Sequence, residues 1–231
     1  TMNSLFAHIA IALAMFLSCG HYENSNKMIH YEKKEPTAPA GTSVPFGKTL
    51  GTATFGTGCF WCTEADFDKV PGVISTTSGY IGGRTPNPTY EQVTRGNTGH
   101  AEAVRIEYDP SRINYEKLVE IFWRTVDPLD AGGQFCDRGP SYRPAIFVTE
   151  TQRPIAEASR ARLIESGRVQ GRVITPILPR SHFTLAEEYH RNYAARNPGR
   201  YQRYRQGCGR DARLEQRSQA LLAAVADGVA E

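Results

Sequence analysis

Apolar residues along this chain are spaced in three ways, and the changes of spacing mark its organisation. From Leu5 to Leu17 (LFAHIAIALAMFL) they are almost continuous. From His21 to Lys48 they thin out among Pro36, Pro39, Gly41, Pro45 and Gly47, a composition that cannot bury a core and reads as a linker. Beyond Lys48, short apolar runs broken by glycine and proline continue to about Arg210, the texture of a folded domain.

Inside that domain the periodicity predicts individual elements. Thr52 to Phe55 reads as a strand that runs into Gly56-Thr57-Gly58, and Phe60 to Val70 as a helix stopped by Pro71-Gly72. Val73 to Tyr80 is β-branched and reads as a strand. Val104, Ile106 and Tyr108 alternate with Arg105 and Glu107, the period of a half-buried strand. Leu118, Ile121, Phe122 and Thr125 recur at helical spacing behind the N-cap candidate Asn114, with Pro128 beyond. Ala145 to Val148 and Val173 to Leu178 read as strands, Ile155 to Glu165 and Leu185 to Ala194 as helices. Strands and helices mix without strict βαβ alternation and without a phosphate-binding glycine signature, so the expected class is α+β. Leu214, Leu221, Leu222 and Val225 can stripe a terminal helix. The expected organisation is a leader over 1–20, a linker over 21–48, the working domain over 49–214 and a tail over 215–231.

Composition narrows the function. Of the 231 residues, 40% are apolar, enough for a sizeable core, and the net charge of +3 is too small and too scattered for a nucleic-acid-binding face. The run before Ser18-Cys19-Gly20 is short for a bilayer span and reads as the apolar region of a secretory signal, with Cys19 placed as the lipidated residue of a bacterial lipoprotein would be. Such a leader would put the protein in the cell envelope, periplasmic or lipid-anchored, and without it the location would be cytoplasmic. The three methionines all lie in the first 28 residues, which suits a domain that meets oxidants and equally suits a low methionine content.

The five cysteines, at 19, 59, 62, 136 and 208, are an odd set spread too thinly to staple a small fold. A closed zinc shell takes four ligands, usually as two close pairs, and only Cys59 and Cys62 are close, so no metal is expected. Redox chemistry is the better use. A thiol reacts as its thiolate, and a free thiol with a pKa of about 8.5 offers little of it at neutral pH. Cys59 falls where a strand turns into a helix, and the unpaired amides and dipole of a helix start favour an anion. The competing reading is a small buried hydrophobe, which for Cys62, one turn further on, stands level with a redox role.

The segments Gly58-Cys59-Phe60-Trp61-Cys62, Pro86-Asn87-Pro88-Thr89-Tyr90 and Thr98-Gly99-His100-Ala101-Glu102 are followed by Asp127-Pro128, Gln134 to Gly139, Tyr142-Arg143 and Ala186-Glu187-Glu188-Tyr189-His190. In content and order they resemble the type A methionine sulfoxide reductases, over most of Thr52 to about Leu214. That resemblance implies a single ferredoxin-like α+β domain with a mixed sheet packed by helices and a long coil at the C-terminus. It also implies reduction of the S epimer of methionine sulfoxide, free or in proteins, with no cofactor beyond an external thiol reductant, thioredoxin or a similar dithiol protein. Cys59 matches the nucleophile and Glu102 the acid that protonates the sulfoxide oxygen. Tyr90 and Tyr142 match hydroxyl donors at that oxygen, Asp137 a polar residue of the site, and Phe60 and Trp61 the aromatic walls around the substrate methyl, with Tyr142 close by. Cys208 matches a resolving cysteine, Cys136 and Cys62 being the alternatives. Cys136 stands where many members carry Asn, and Ser141 and Pro144 where Gln and Ser are commoner. A monomer is expected. Two other readings remain: a thioredoxin-like dithiol exchanger, since Cys59 to Cys62 satisfies C-x-x-C, and an envelope module that grips methionine side chains without chemistry.

Overall fold

In a computed structural model the described residues are 49–227, with side chains through 219; the apolar run, Cys19 and the linker lie outside them. A six-stranded sheet has the order β7-β6-β1-β3-β2-β8. Its centre is β1 (Gly51–Thr57), antiparallel to both β3 (Ala101–Tyr108) and β6 (Pro144–Val148). β2 (Val73–Ile81) pairs antiparallel with β3, and β8 (Phe183–Leu185) with β2. β7 (Ile177–Pro179) runs parallel to β6, so the sheet is mixed, as the resemblance implied. A short hairpin, β4 (Gly133–Gln134) with β5 (Asp137–Arg138), stands apart.

Both faces of the sheet are covered. One carries the main core, in which Phe55 lies between Phe67 and Phe122 at ring separations of 5.5 and 5.2 Å. The opposite face has a smaller cluster of Ile81, Ala101, Ala103, Ala145 and Phe147. Strand parity therefore sends Glu102 to the main-core side with Val104 and Ile106. That face is packed by α1 (Phe60–Phe67) and α3 (Tyr115–Thr125). Of the residues at helical spacing, α3 buries Leu118, Phe122 and Thr125 and leaves Ile121 half-buried, Val119 and Trp123 join the core beside them, and the Asn114 side chain accepts from Lys117 N at 2.8 Å. α2 (Tyr90–Thr94) begins with a capping box from Thr89, and α4 (Arg153–Glu165) follows β6.

Departures from the expected elements concentrate in the last third of the chain. No helix spans Leu185 to Ala194. Phe183–Leu185 is edge strand β8, Glu188–His190 a single 3-10 turn, and α5 (Tyr193–Arg196) begins only after Asn192, which takes the left-handed φ of 52°. Pairing with β2 takes up this backbone, including Ala186 N donating to Ser78 O at 3.0 Å. The strand over Val173 to Leu178 shrinks to Ile177–Pro179 because Pro176 has no amide to donate and Ile174 N bonds instead to Pro128 O. Where the resemblance implied a long coil, the C-terminus forms α6 (Pro198–Gly207) and α7 (Arg210–Asp227), the latter being the terminal helix that the stripe from Leu214 to Val225 predicts.

Candidate active site

The site begins at the junction of β1 and α1. Gly58 turns with φ of 86°, and a Cβ there would lie 2.6 Å from Gln134 Cβ, so glycine alone fits. Cys59 follows as the N-cap of α1, 6% exposed. Three amides at the helix start are already bonded to oxygen. Phe60 N donates to Glu102 Oε2 at 3.1 Å, and Cys62 N and Thr63 N donate to Cys59 O. Burial therefore dominates and pushes the Cys59 thiol well up, reinforced by a hydrogen bond to Cys62 and by the Glu102 charge. That corrects the expectation of a thiolate favoured by the helix dipole. Cys62, buried one turn on, is pulled down by accepting from Cys59 and by Arg210 and Arg205, against the opposing effect of its own burial. In the resting dithiol Cys59 holds the proton and offers it to Cys62.

Glu102 is 1% exposed, and burial carries its carboxyl up to about 8, against the Phe60 amide and with help from the charges of Asp137 and Cys62. It is largely protonated at neutral pH. The Tyr90 and Tyr142 hydroxyls share a hydrogen bond, and both are held above the ordinary phenol range by burial and by the nearby Glu102 charge. Tyr90 owes its position to Glu187, which accepts from Tyr90 N at 2.9 Å and from Tyr80 OH at 2.7 Å. The structure thus brings Cys59, Cys62, Glu102, Tyr90 and Tyr142 together.

Phe60 packs against Tyr80 and His190, with ring separations of 6.0 and 5.1 Å. Trp61 has one face stacked on Tyr193 at 3.7 Å, meets Tyr204 edge-on at 5.6 Å, and donates from Nε1 to His190 Nδ1 at 3.2 Å. His190 is buried, its charged form disfavoured by burial, and its Nε2 has no partner. Of these residues His190 enters the sequence reading only within the Ala186 to His190 segment, and Tyr193 not at all.

Cys136 and Cys208 form a disulfide across 72 residues, while Cys59 and Cys62 are free. Cys136 is exposed. Asp137 Oδ2 accepts from Tyr204 OH at 2.6 Å and lies 4.0 Å from Cys208 Sγ. Tyr204 also shares a side-chain hydrogen bond with Cys59, so Asp137 reaches the nucleophile through that phenol. Arg210, two residues past Cys208 and 1% exposed, donates to Thr57 O at 3.1 Å and Thr125 O at 2.6 Å and lies 4.7 Å over the Phe135 ring. It ties the cysteine-bearing segment to the end of β1. Neither Tyr204 nor Arg210 was legible as a site residue in a stretch so rich in Tyr and Arg. Among the described residues one group has metal-ligand proximity, Cys136, Asp137 and Cys208, and with its sulfurs joined it offers no thiolate.

A buried thiol beside a carboxyl that stays protonated near neutrality and two phenols is equipment for removing an oxygen atom. Disulfide exchange needs no such acid. The fold and site define a thiol-dependent oxidoreductase of the α+β class. The family model described as peptide methionine sulfoxide reductase matches residues 51–222. Over 168 residues the chain is 58% identical to peptide methionine sulfoxide reductase MsrA 2 of Caulobacter vibrioides, covering 71% of this chain and 84% of that one. It is 53% identical over 159 residues to MsrA of Bacillus subtilis, covering 68% and 90%. Among solved structures, methionine sulfoxide reductase A of Corynebacterium diphtheriae superposes with a TM-score of 0.58 at 34% identity, over 64% of this chain and 76% of that one. The chain belongs to the peptide methionine sulfoxide reductase family, and the thioredoxin-like and binding-module readings give way to it.

Proposed function

We infer that this enzyme reduces methionine-S-sulfoxide, free and in proteins, to methionine at Cys59. The observation that carries the reading is Glu102, buried against the Phe60 amide beside the nucleophile with its carboxyl pushed up to about 8. A sulfoxide oxygen is a poor leaving group until protonated, and a neutral carboxyl in a dry site can donate to it. Glu102, with the Tyr90 and Tyr142 hydroxyls, protonates that oxygen as the Cys59 sulfur attacks the sulfoxide sulfur. The substrate S–O and Cys59 S–H bonds break and a Cys59 S–O and an O–H bond form; the thiol proton replaces the one Glu102 gives to the oxygen, methionine leaves, and Cys59 becomes a sulfenic acid. Phe60 and Trp61 supply the apolar wall for the substrate methyl, reached when Tyr193 lifts from Trp61.

Cys208 resolves the sulfenic acid, forming a Cys59–Cys208 disulfide and water. Cys136 then attacks Cys208 and returns Cys59 to its thiol, which leaves the pairing found here, with Cys59 and Cys62 free. The exposed Cys136 side of that bridge suits attack by thioredoxin or a similar dithiol protein, and no other cofactor is called for. The Leu5 to Leu17 run and Cys19 support an envelope location with a lipid anchor.

The test is turnover with dithiothreitol on peptides carrying each sulfoxide epimer. Methionine forms from the S epimer and not the R epimer; failure on both overturns the reading. Fatty-acid labelling that persists in Cys19→Ser, or is absent from the parent, removes the lipid anchor.

A further inference from the structure

Resolution of the sulfenic acid has a proton problem that Cys59 and Cys208 cannot solve alone. When a thiol sulfur attacks Cys59–S–OH, the departing group is hydroxide, a strong base that leaves slowly unless protonated, while the attacking thiol must shed a proton. Glu102, the acid of the first step, is bonded to the Phe60 amide and not to Cys208.

The structure holds a second set of groups between the two sulfurs. Cys208 Sγ is 4.0 Å from Asp137 Oδ2, Tyr204 OH donates to that same oxygen at 2.6 Å, and Tyr204 shares a hydrogen bond with Cys59. The single Tyr204 proton therefore stands between two acceptors, the Asp137 carboxylate and the Cys59 sulfur. The arrangement is built in by the helix. Cys208 N bonds to Tyr204 O at 2.8 Å, one turn back, so residues 204 and 208 project from one face of α6 and reach one carboxylate. The edge contact of the Tyr204 ring with Trp61 and the buried Arg210 just past Cys208 hold that face against the nucleophile.

We propose that Tyr204 is the general acid of the resolving step and Asp137 its base. This rests on Cys208 being the resolving cysteine. The Cys208 thiol gives its proton to Asp137 Oδ2 as its sulfur attacks Cys59. The S–O bond of the sulfenic acid breaks, and the departing hydroxide takes the Tyr204 proton and leaves as water. Asp137 returns the thiol proton to Tyr204 along their hydrogen bond. One S–H and one S–O bond are lost, one S–S and one O–H bond are gained, and Asp137 and Tyr204 end as they began.

The experiment is a rapid-quench single turnover of the reduced enzyme with one equivalent of a methionine-S-sulfoxide peptide and no external reductant. Methionine release is followed beside a cyclic-diketone trap for sulfenic acid and mass mapping of the disulfide. Tyr204→Phe keeps the ring on Trp61 and removes only the hydroxyl. Its disulfide formation should slow about 100-fold relative to its own methionine release, with trappable Cys59 sulfenic acid accumulating, while an unchanged thermal melt certifies its fold. Asp137→Asn should show the same split. Parent-like disulfide formation in either variant overturns the proposal, as does a Tyr204→Phe variant whose methionine release slows by the same factor. Failure of the underlying reading is distinguishable: in Cys208→Ser, a disulfide from Cys59 to Cys62 or Cys136 forming at the parent rate would show that Cys208 is not the resolver, whatever Tyr204 does.

Discussion

The β1–α1 junction and the C-terminal segment from Glu187 to Arg210 meet at Cys59 but are held in opposite ways. At the junction, Cys59, Phe60, Cys62 and Glu102 are all buried on a sheet whose core residues are packed from both sides. In the segment α5 and α6 bury nothing completely. Point contacts hold it: Asn192 N on buried Glu64, Arg205 on Asp66, Arg210 on two backbone carbonyls, Tyr193 on Trp61, and the disulfide. The division follows the chemistry. Oxygen removal needs a fixed, dry acid, whereas resolution requires Cys208 to trade partners between Cys59 and Cys136, which a fully packed helix would resist.

Substitutions at the junction should cost more methionine release in a single turnover than any in the segment. Cys59→Ser is expected to remove turnover entirely with either dithiothreitol or thioredoxin; residual single-turnover methionine would break the comparison at its base. Glu102→Gln should slow methionine release by about 100-fold to 10,000-fold with the fold intact. Because the Glu102 carboxyl titrates at about 8, parent activity should fall as pH rises through that value, and this limb should vanish in the variant.

The stability of the junction carries the same signature. Between the ordinary carboxyl value of 4.5 and about 8 the folded protein holds a proton on Glu102 that the unfolded chain releases, so stability falls as pH rises through that window. Glu64, raised to about 7 mainly by burial, adds the same sign up to its own value. Denaturant melts of Glu102→Gln across this range should show a shallower decline than the parent, with the Glu64 part remaining; parallel curves would mean that Glu102 ionises normally.

In the segment, Arg210→Met should lower stability by about 2–3 kcal/mol, because two buried carbonyls lose a charged donor. It should also slow thioredoxin-driven turnover more than methionine release, and equal slowing of both would join the two regions into one unit. The smallest effect is expected from Tyr193→Ala. Losing its stack on Trp61 should cost about 0.5–1.5 kcal/mol beyond lost area and red-shift tryptophan emission.

How far each region was legible follows from the same contrast. Along β3 the alternation of Val104, Ile106 and Tyr108 with Arg105 and Glu107 matches the burial, and along α3 Leu118, Phe122 and Thr125 are buried at helical spacing, so these elements were readable, whereas Glu102 was marked only by the resemblance. From Thr175 onward, elements are set by contacts with distant strands. Leu185 pairs with Gly79, and α6 is anchored by residues more than a hundred positions earlier. No local period records such partners, so one helix was expected over Leu185 to Ala194, where a strand end, a 3-10 turn and the start of α5 lie, and α6 was not foreseen, while the terminal stripe did mark α7.

What the sequence by itself determined is the nucleophile at a strand-to-helix turn, the order of the motifs around it and the family chemistry they imply, since these depend on residue type and spacing. Only the tertiary structure decided that Cys59 rests as a thiol rather than a thiolate, that Glu102 keeps its proton, that Cys136 and Cys208 find each other across 72 residues, and that Tyr204 stands between Asp137 and Cys59. Ionisation and sulfur pairing depend on what is packed against a group and how much water is excluded, and those neighbours come from segments far apart in the chain.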